Sequence, residues 1–166
     1  MNRGKFNRDL SDGEFAEDLI CEFLISKGYN ILERRQDNTW DIKAEKDGFI
    51  KTIEVKTDRW EKFNWITNNM IIEVSCSNKP SGIMVTKADY FIYFYPEWEL
   101  IYIIKSKELK EAIRFRPDLF WRKDGLGDDG KVVGYICNRN EAAELFEIKE
   151  IKKNSKWHER DRQKRI

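Results

Sequence analysis

Asp41, Glu54 and Lys56 are the residues of this chain whose types and spacing could do chemistry together. They flank Asp47-Gly48, the strongest short hairpin signal in the sequence, because both turn positions tolerate positive φ. With Asp47 and Gly48 at the centre of the turn, positions equidistant from it face each other, which pairs Asp41 with Glu54. Opposed residues on neighbouring strands have Cβ atoms about 4.5–5.5 Å apart. Two carboxylates that close repel unless a cation lies between them, and a divalent metal ion removes the conflict. Strand alternation puts Lys56 on the same face as both acids and turns Ile53 and Val55 the other way, into a core. Such a set suits phosphodiester hydrolysis: an oxygen-held Mg²⁺ polarises the phosphate and activates a water. The lysine orients or deprotonates that water and offsets charge in the transition state. Glu-x-Lys alone is a weak signal, since the same pair is common on the solvent face of an ordinary strand. Asp41 opposite Glu54 is what strengthens it.

Other chemistries are excluded by what the chain lacks. His158 is the sole histidine, so His-based catalysis and a His-rich zinc site are not expected. Cys21, Cys76 and Cys137 are widely spaced and odd in number, which gives neither a disulfide framework nor a CxxC zinc site. The acidic, glycine-rich stretch from Asp124 to Gly130 lacks the ligand spacing of a calcium loop and reads as a hairpin loop. With 166 residues, 40% of them apolar and 13% aromatic, the chain can bury the core of one ordinary domain. The start carries no signal-peptide pattern and no apolar run approaches a membrane span, so a soluble, cytoplasmic protein is expected.

Elements must then position the acids. Residues 1–10 read as a flexible terminus. Ser11-Asp12-Gly13-Glu14 has the S-x-x-E form of a capping box and predicts a helix start there. Phe15, Ala16, Leu19, Ile20, Phe23 and Leu24 recur at helical spacing, and Gly28 is placed to end the helix. Tyr29–Leu32, the two arms of the Asp-Gly hairpin, Met70–Cys76, Tyr90–Tyr95, Leu100–Ile104 and Lys131–Ile136 read as strands. Asn78–Gly82 reads as a loop and Ser106–Phe115 as a helix. A second capping pattern at Asn138-Arg139-Asn140-Glu141 predicts another helix.

The motif Trp40-Asp41-Ile42 with Ile53-Glu54-Val55-Lys56 resembles the PD-(D/E)xK nuclease superfamily, with Trp40 where the proline usually stands. Within it, Gly13, Glu17 and Lys27-Gly28-Tyr29 are similar to the opening helix of archaeal-type Holliday junction resolvases. The resemblance covers roughly residues 11–95. It implies an α/β, restriction endonuclease-like fold: a mixed central sheet flanked by helices, with an α-β-β-β-α-β core. It implies catalysis by Asp41, Glu54, Lys56 and Glu17. It also implies Mg²⁺ or Mn²⁺ held by Asp41, Glu54, Glu17 and, through its main chain, Val55. Glu14 is better explained as the helix cap. Glu73, in the next strand, reads either as an accessory acid or as an ordinary edge-strand glutamate.

The expected organisation is a single nuclease domain over 11–151, followed by a basic tail over 152–166. That tail carries seven basic residues against Glu159 and Asp161, a local charge of +5. Candidate phosphate contacts are Lys152, Lys153, Lys156, Arg160 and Arg162 in the tail, with Lys79, Ser81, Thr86 and Lys87 on a loop near the acids. The resulting expectation is a metal-dependent DNA endonuclease acting as a homodimer, with selectivity for branched DNA implied by the resemblance. A restriction-type or exonucleolytic enzyme using the same site, or a non-catalytic nucleic-acid-binding module of the same fold, are the alternatives.

Overall fold

A computed structural model describes residues 3–35, 39–57, 68–127 and 130–152, with side chains described from residue 13 onward. The chain order is α1 (Arg3–Ser26), β1 (Asn30–Arg34), β2 (Ile42–Lys46), β3 (Phe49–Thr57), β4 (Asn69–Cys76), β5 (Lys79–Pro80), β6 (Tyr90–Tyr95), β7 (Leu100–Lys105), α2 (Ser106–Phe115), β8 (Trp121–Leu126), β9 (Val132–Asn138) and β10 (Glu147–Glu150). Short 3₁₀ turns lie at Gly82–Met84, Pro96–Trp98 and Ala143–Leu145.

The mixed α/β architecture expected from the sequence is present. A six-stranded sheet has the order β1-β2-β3-β6-β7-β10, with β3 and β6 parallel and the other neighbours antiparallel. One face is covered by α1: Ala16, Leu19, Ile20 and Leu24 pack on Ile42, Ala44, Ile53, Val55, Ile92 and Phe94. The opposite face, through Phe91, Tyr93, Tyr95, Tyr102 and Ile104, packs on α2 and on a second sheet of order β5-β4-β9-β8. Among the described residues, the crossover between parallel β3 and β6 carries β4, β5 and a 3₁₀ turn where the expected core order has a helix.

The hairpin register is the one inferred from Asp47-Gly48. Ile42 pairs with Ile53 and Lys46 with Phe49, and the turn residues have φ of 53° and 80°. Both dihedrals are left-handed, as a two-residue turn between twisted strands requires. The aromatic strand β6 turns at Pro96 and returns as β7, and α2 spans the predicted residues.

Three expectations are corrected. The first helix begins at Arg3, so Ser11 and Glu14 lie inside it rather than at its start. Residues 3–10 contain no proline, and of the two glycines of the helix Gly4 lies in its first turn while Gly13, in its interior, costs only about 1 kcal/mol relative to alanine. Among the described residues no α-helix follows Asn138, only the 3₁₀ turn at Ala143–Leu145. The Asn138 side chain accepts a hydrogen bond from Asn140 N–H at 3.0 Å, a local turn that competes with helix initiation. The loop expected over 78–82 is instead the turn and short strand of a second hairpin, with Ser77 and Asn78 both at positive φ.

Candidate active site

Asp41 stands one residue before β2. Its own N–H donates to Ile53 carbonyl at 2.9 Å. Further along β3, Val55 N–H donates to Asp41 Oδ2 at 2.7 Å, the side chain serving as acceptor while the Asp41 carbonyl takes Arg35 N–H at 2.9 Å. The Val55 bond fixes the carboxylate beside Glu54, on the face away from Ile42 and α1. Burial, and next the Glu54 charge, push the Asp41 carboxyl up to about 7, against the pull of Val55 N–H and Lys56. Two acids crowd one low-dielectric corner, and one resists ionisation.

Glu54 is 6% exposed. Its two oxygens have different partners: Lys56 Nζ at 2.6 Å on Oε1, and Thr86 hydroxyl at 3.1 Å on Oε2. Lys56 keeps 44% of its side chain exposed, while its ammonium is held on Glu54. Burial pulls its pKa down, but Glu54, Asp41 and Glu73 together outweigh that and hold the ammonium above the usual lysine value. A charged ammonium held this way can orient a water or offset anionic charge.

Thr86 is the residue whose role the sequence did not reveal. At 5% exposure it lies inside the protein, donating toward Glu54 and Thr39 carbonyl and accepting from Ala88 N–H at 3.1 Å. Its hydroxyl is enclosed by these partners and aimed at Glu54. The turn that carries it packs unusually close to β4. A Cβ on Gly82, whose φ is +52°, would meet Glu73 carbonyl oxygen at 2.4 Å, so no larger residue fits.

Glu17 lies close enough to raise the Asp41 pKa, though by the smallest of the effects acting there. It is engaged by Arg34, whose guanidinium reaches Glu17 Oε2 at 3.0 Å and Asp18 Oδ1 at 2.6 Å. Burial nonetheless raises the Glu17 pKa. Glu73 pairs with Gly134 of β9 on one side, while β5 covers only Ser75 and Cys76 of the same strand on the other. Glu73 lines a cleft of about 290 Å³ shared with Lys56.

Of the loop residues, Lys79 and Lys87 are exposed, while the Ser81 hydroxyl is buried without a hydrogen-bond partner. Lys152 is exposed, and Lys153, Lys156, Arg160 and Arg162 lie outside the described residues. Cys21, Cys76 and Cys137 are free thiols.

No group of three or more His, Cys, Asp or Glu residues that could hold a metal ion occurs among the described residues. The Asp41–Glu54 pair, with the main chain of Val55 between them, fits a hard cation in a more open way. Magnesium is commonly held by one or two carboxylates, with water and substrate phosphate completing its shell.

No protein-family profile matches the chain. It is similar to a UPF0102 protein of Flavobacterium psychrophilum, 48% identical over 48 residues, which cover 27% of this chain and 40% of that protein. A UPF0102 protein of Syntrophomonas wolfei is 42% identical over 60 residues, 34% of this chain and 50% of the relative. The chain thus spans half or less of the length of these curated relatives. Among solved structures, the bacterial homing endonuclease I-Ssp6803I aligns with a TM-score of 0.46 and 17% identity, over 57% of this chain and 67% of that one. No helix among the described residues is long and apolar enough to cross a membrane.

Proposed function

We propose that this chain is a metal-dependent DNA endonuclease with Asp41, Glu54 and Lys56 at its reaction centre. The observation that carries the reading is the buried acid pair, in which burial and the Glu54 charge push the Asp41 carboxyl up to about 7. An arrangement that disfavours its own negative charge gains most from a bound cation. Asp41, Glu54 and the Val55 main chain would hold Mg²⁺ or Mn²⁺, and Glu17 would join once Arg34 releases it. When bound, the ion supplies phosphate polarisation and a more acidic water. Thr86 fixes the rotation of the Glu54 carboxylate. Lys56 orients the water and stabilises developing phosphate charge.

Incubation with supercoiled, linear and four-way-junction DNA, in Mg²⁺, Mn²⁺ or EDTA, tests this against Glu54→Ala and Lys56→Ala. Metal-dependent cutting by the wild type and its loss in both variants is expected. Absence of cutting on every substrate, or equal cutting by the variants, rejects the mechanism. Selectivity for the junction and action as a homodimer extend the proposal; cleavage mapping and sedimentation test them.

A non-catalytic nucleic-acid-binding module is the competing reading, favoured by the closed 2.6 Å Lys56–Glu54 ion pair. It predicts binding without cutting and no thermal response to Mg²⁺.

A further inference from the structure

A second concave surface lies across the hairpin end of the six-stranded sheet, an open groove of about 1000 Å³. Lys46, Lys51, Lys87, Lys105, Lys107 and Lys110 line it, against Asp47 and Asp89. Asp89 is already occupied, accepting from the Thr52 N–H and hydroxyl at 2.8 and 2.9 Å. Glu108 takes Lys105 at 2.8 Å, and Glu111 lies 3.9 Å from Lys107, whose side chain stays 87% exposed. The groove therefore retains a positive excess facing solvent.

Aromatic rings share that surface. Tyr29, Tyr90 and Phe49 line the groove, and Phe49 is 72% exposed at the hairpin tip. The Lys46 and Lys51 ammonium groups lie 5.4 and 4.9 Å from the ring centres of Tyr29 and Tyr90. The two ammonium groups thus cover those rings, which also pack against the core, and Phe49 is the ring left open to solvent. Ammonium groups that follow a phosphate backbone, with rings on which unpaired bases stack, are the chemistry of single-strand recognition. A duplex keeps its bases stacked inside and offers the rings no partner. The groove also adjoins the acid pair, because Thr86 both lines its wall and donates to Glu54 Oε2.

We propose that this groove binds single-stranded nucleic acid and holds an unpaired segment beside the acid pair. Binding stands on the groove alone, and its link to cutting rests on the nuclease reading. The test is fluorescence anisotropy in EDTA, with a labelled oligothymidylate and a duplex of equal length, on wild type, Phe49→Ala and the double variant Lys107→Ala/Lys110→Ala. All three positions are exposed, and thermal melts matching wild type confirm folding.

Tighter binding of the single strand by wild type is expected. Phe49→Ala weakens single-strand binding about fivefold or more and leaves duplex binding unchanged. In the double variant, the slope of log affinity against log salt falls by about 0.7 for each lysine removed. Unchanged oligonucleotide binding in both variants, or equal or tighter binding of the duplex, overturns the proposal. So does a dimer in sedimentation that Phe49→Ala dissociates without altering oligonucleotide binding, which would make the groove a protein interface. Groove-dependent binding with no cutting by wild type rejects the nuclease reading and keeps the groove. Metal-dependent cutting with groove-independent binding does the reverse.

Discussion

Replacing Asp41 with asparagine should stabilise the metal-free protein, by an amount that grows with pH. The asparagine carbonyl can still accept from Val55 N–H, as the carboxylate does at 2.7 Å, so the geometry survives while the charge goes. In the folded chain the acid titrates near 7 instead of 3.8, so the native state holds its proton more tightly than the unfolded chain. Stability therefore falls as pH rises from about 4 to about 7 and levels off above that. At about 1.36 kcal/mol per unit, the Asp41 charge costs roughly 4 kcal/mol at pH 8 and roughly 2 kcal/mol at pH 5. Urea unfolding in EDTA at both pH values gives the gap between Asp41→Asn and wild type, cancelling other groups that titrate identically in both. With Mg²⁺ at pH 8, the wild type should recover about 2–3 kcal/mol at a hundredfold excess over its dissociation constant, and the variant little. An asparagine variant less stable than wild type at both pH values, or a gap independent of pH, refutes the reasoning.

Two structural predictions accompany this. Thr86→Val leaves Glu54 Oε2 and Ala88 N–H without the hydroxyl and should cost about 1–3 kcal/mol by denaturation. Thr86→Ser should restore most of that cost, and cleavage should follow the same order. Gly82→Ala forces a Cβ onto Glu73 carbonyl at positive φ, and should lower stability by roughly 1–3 kcal/mol or more and loosen the turn holding Thr86, read as faster amide exchange over 83–88.

Much of the positioning was legible in the residues. Asp47-Gly48 carries its turn in its own dihedral preferences, and a two-residue turn sets the register on both sides. The level of Asp41 with Glu54 and the facing of Lys56 follow from it. Tyr90–Tyr95 with Pro96, and the helix from Ser106, were readable for the same local reason. What escaped depends on distant packing. Trp121–Leu126 is too charged and exposed to look like a strand until β9 pairs with it. Thr86 looks like a loop hydroxyl because nothing near it in sequence reveals that Glu54 lies behind it. Arg34 gave no sign that it would engage Glu17. Asn138 shows that a capping pattern needs a following run free to turn, since its side chain closes a local turn instead.

The hydrogen bond that binds Asp41 to the Glu54 strand joins residues 14 apart, whereas the one from Thr86 to Glu54 joins residues 32 apart. A hairpin closes in about 1–10 μs, but the parallel β3–β6 pairing must wait for its long intervening segment to fold. The acids are thus brought together by a short-range event, and the group that orients one of them arrives with a long-range one. Mutations in the turn at 47–48 should slow refolding, whereas Thr86→Val should chiefly hasten unfolding. The site is assembled in an order written into its chain connectivity: repulsion first, alignment afterwards.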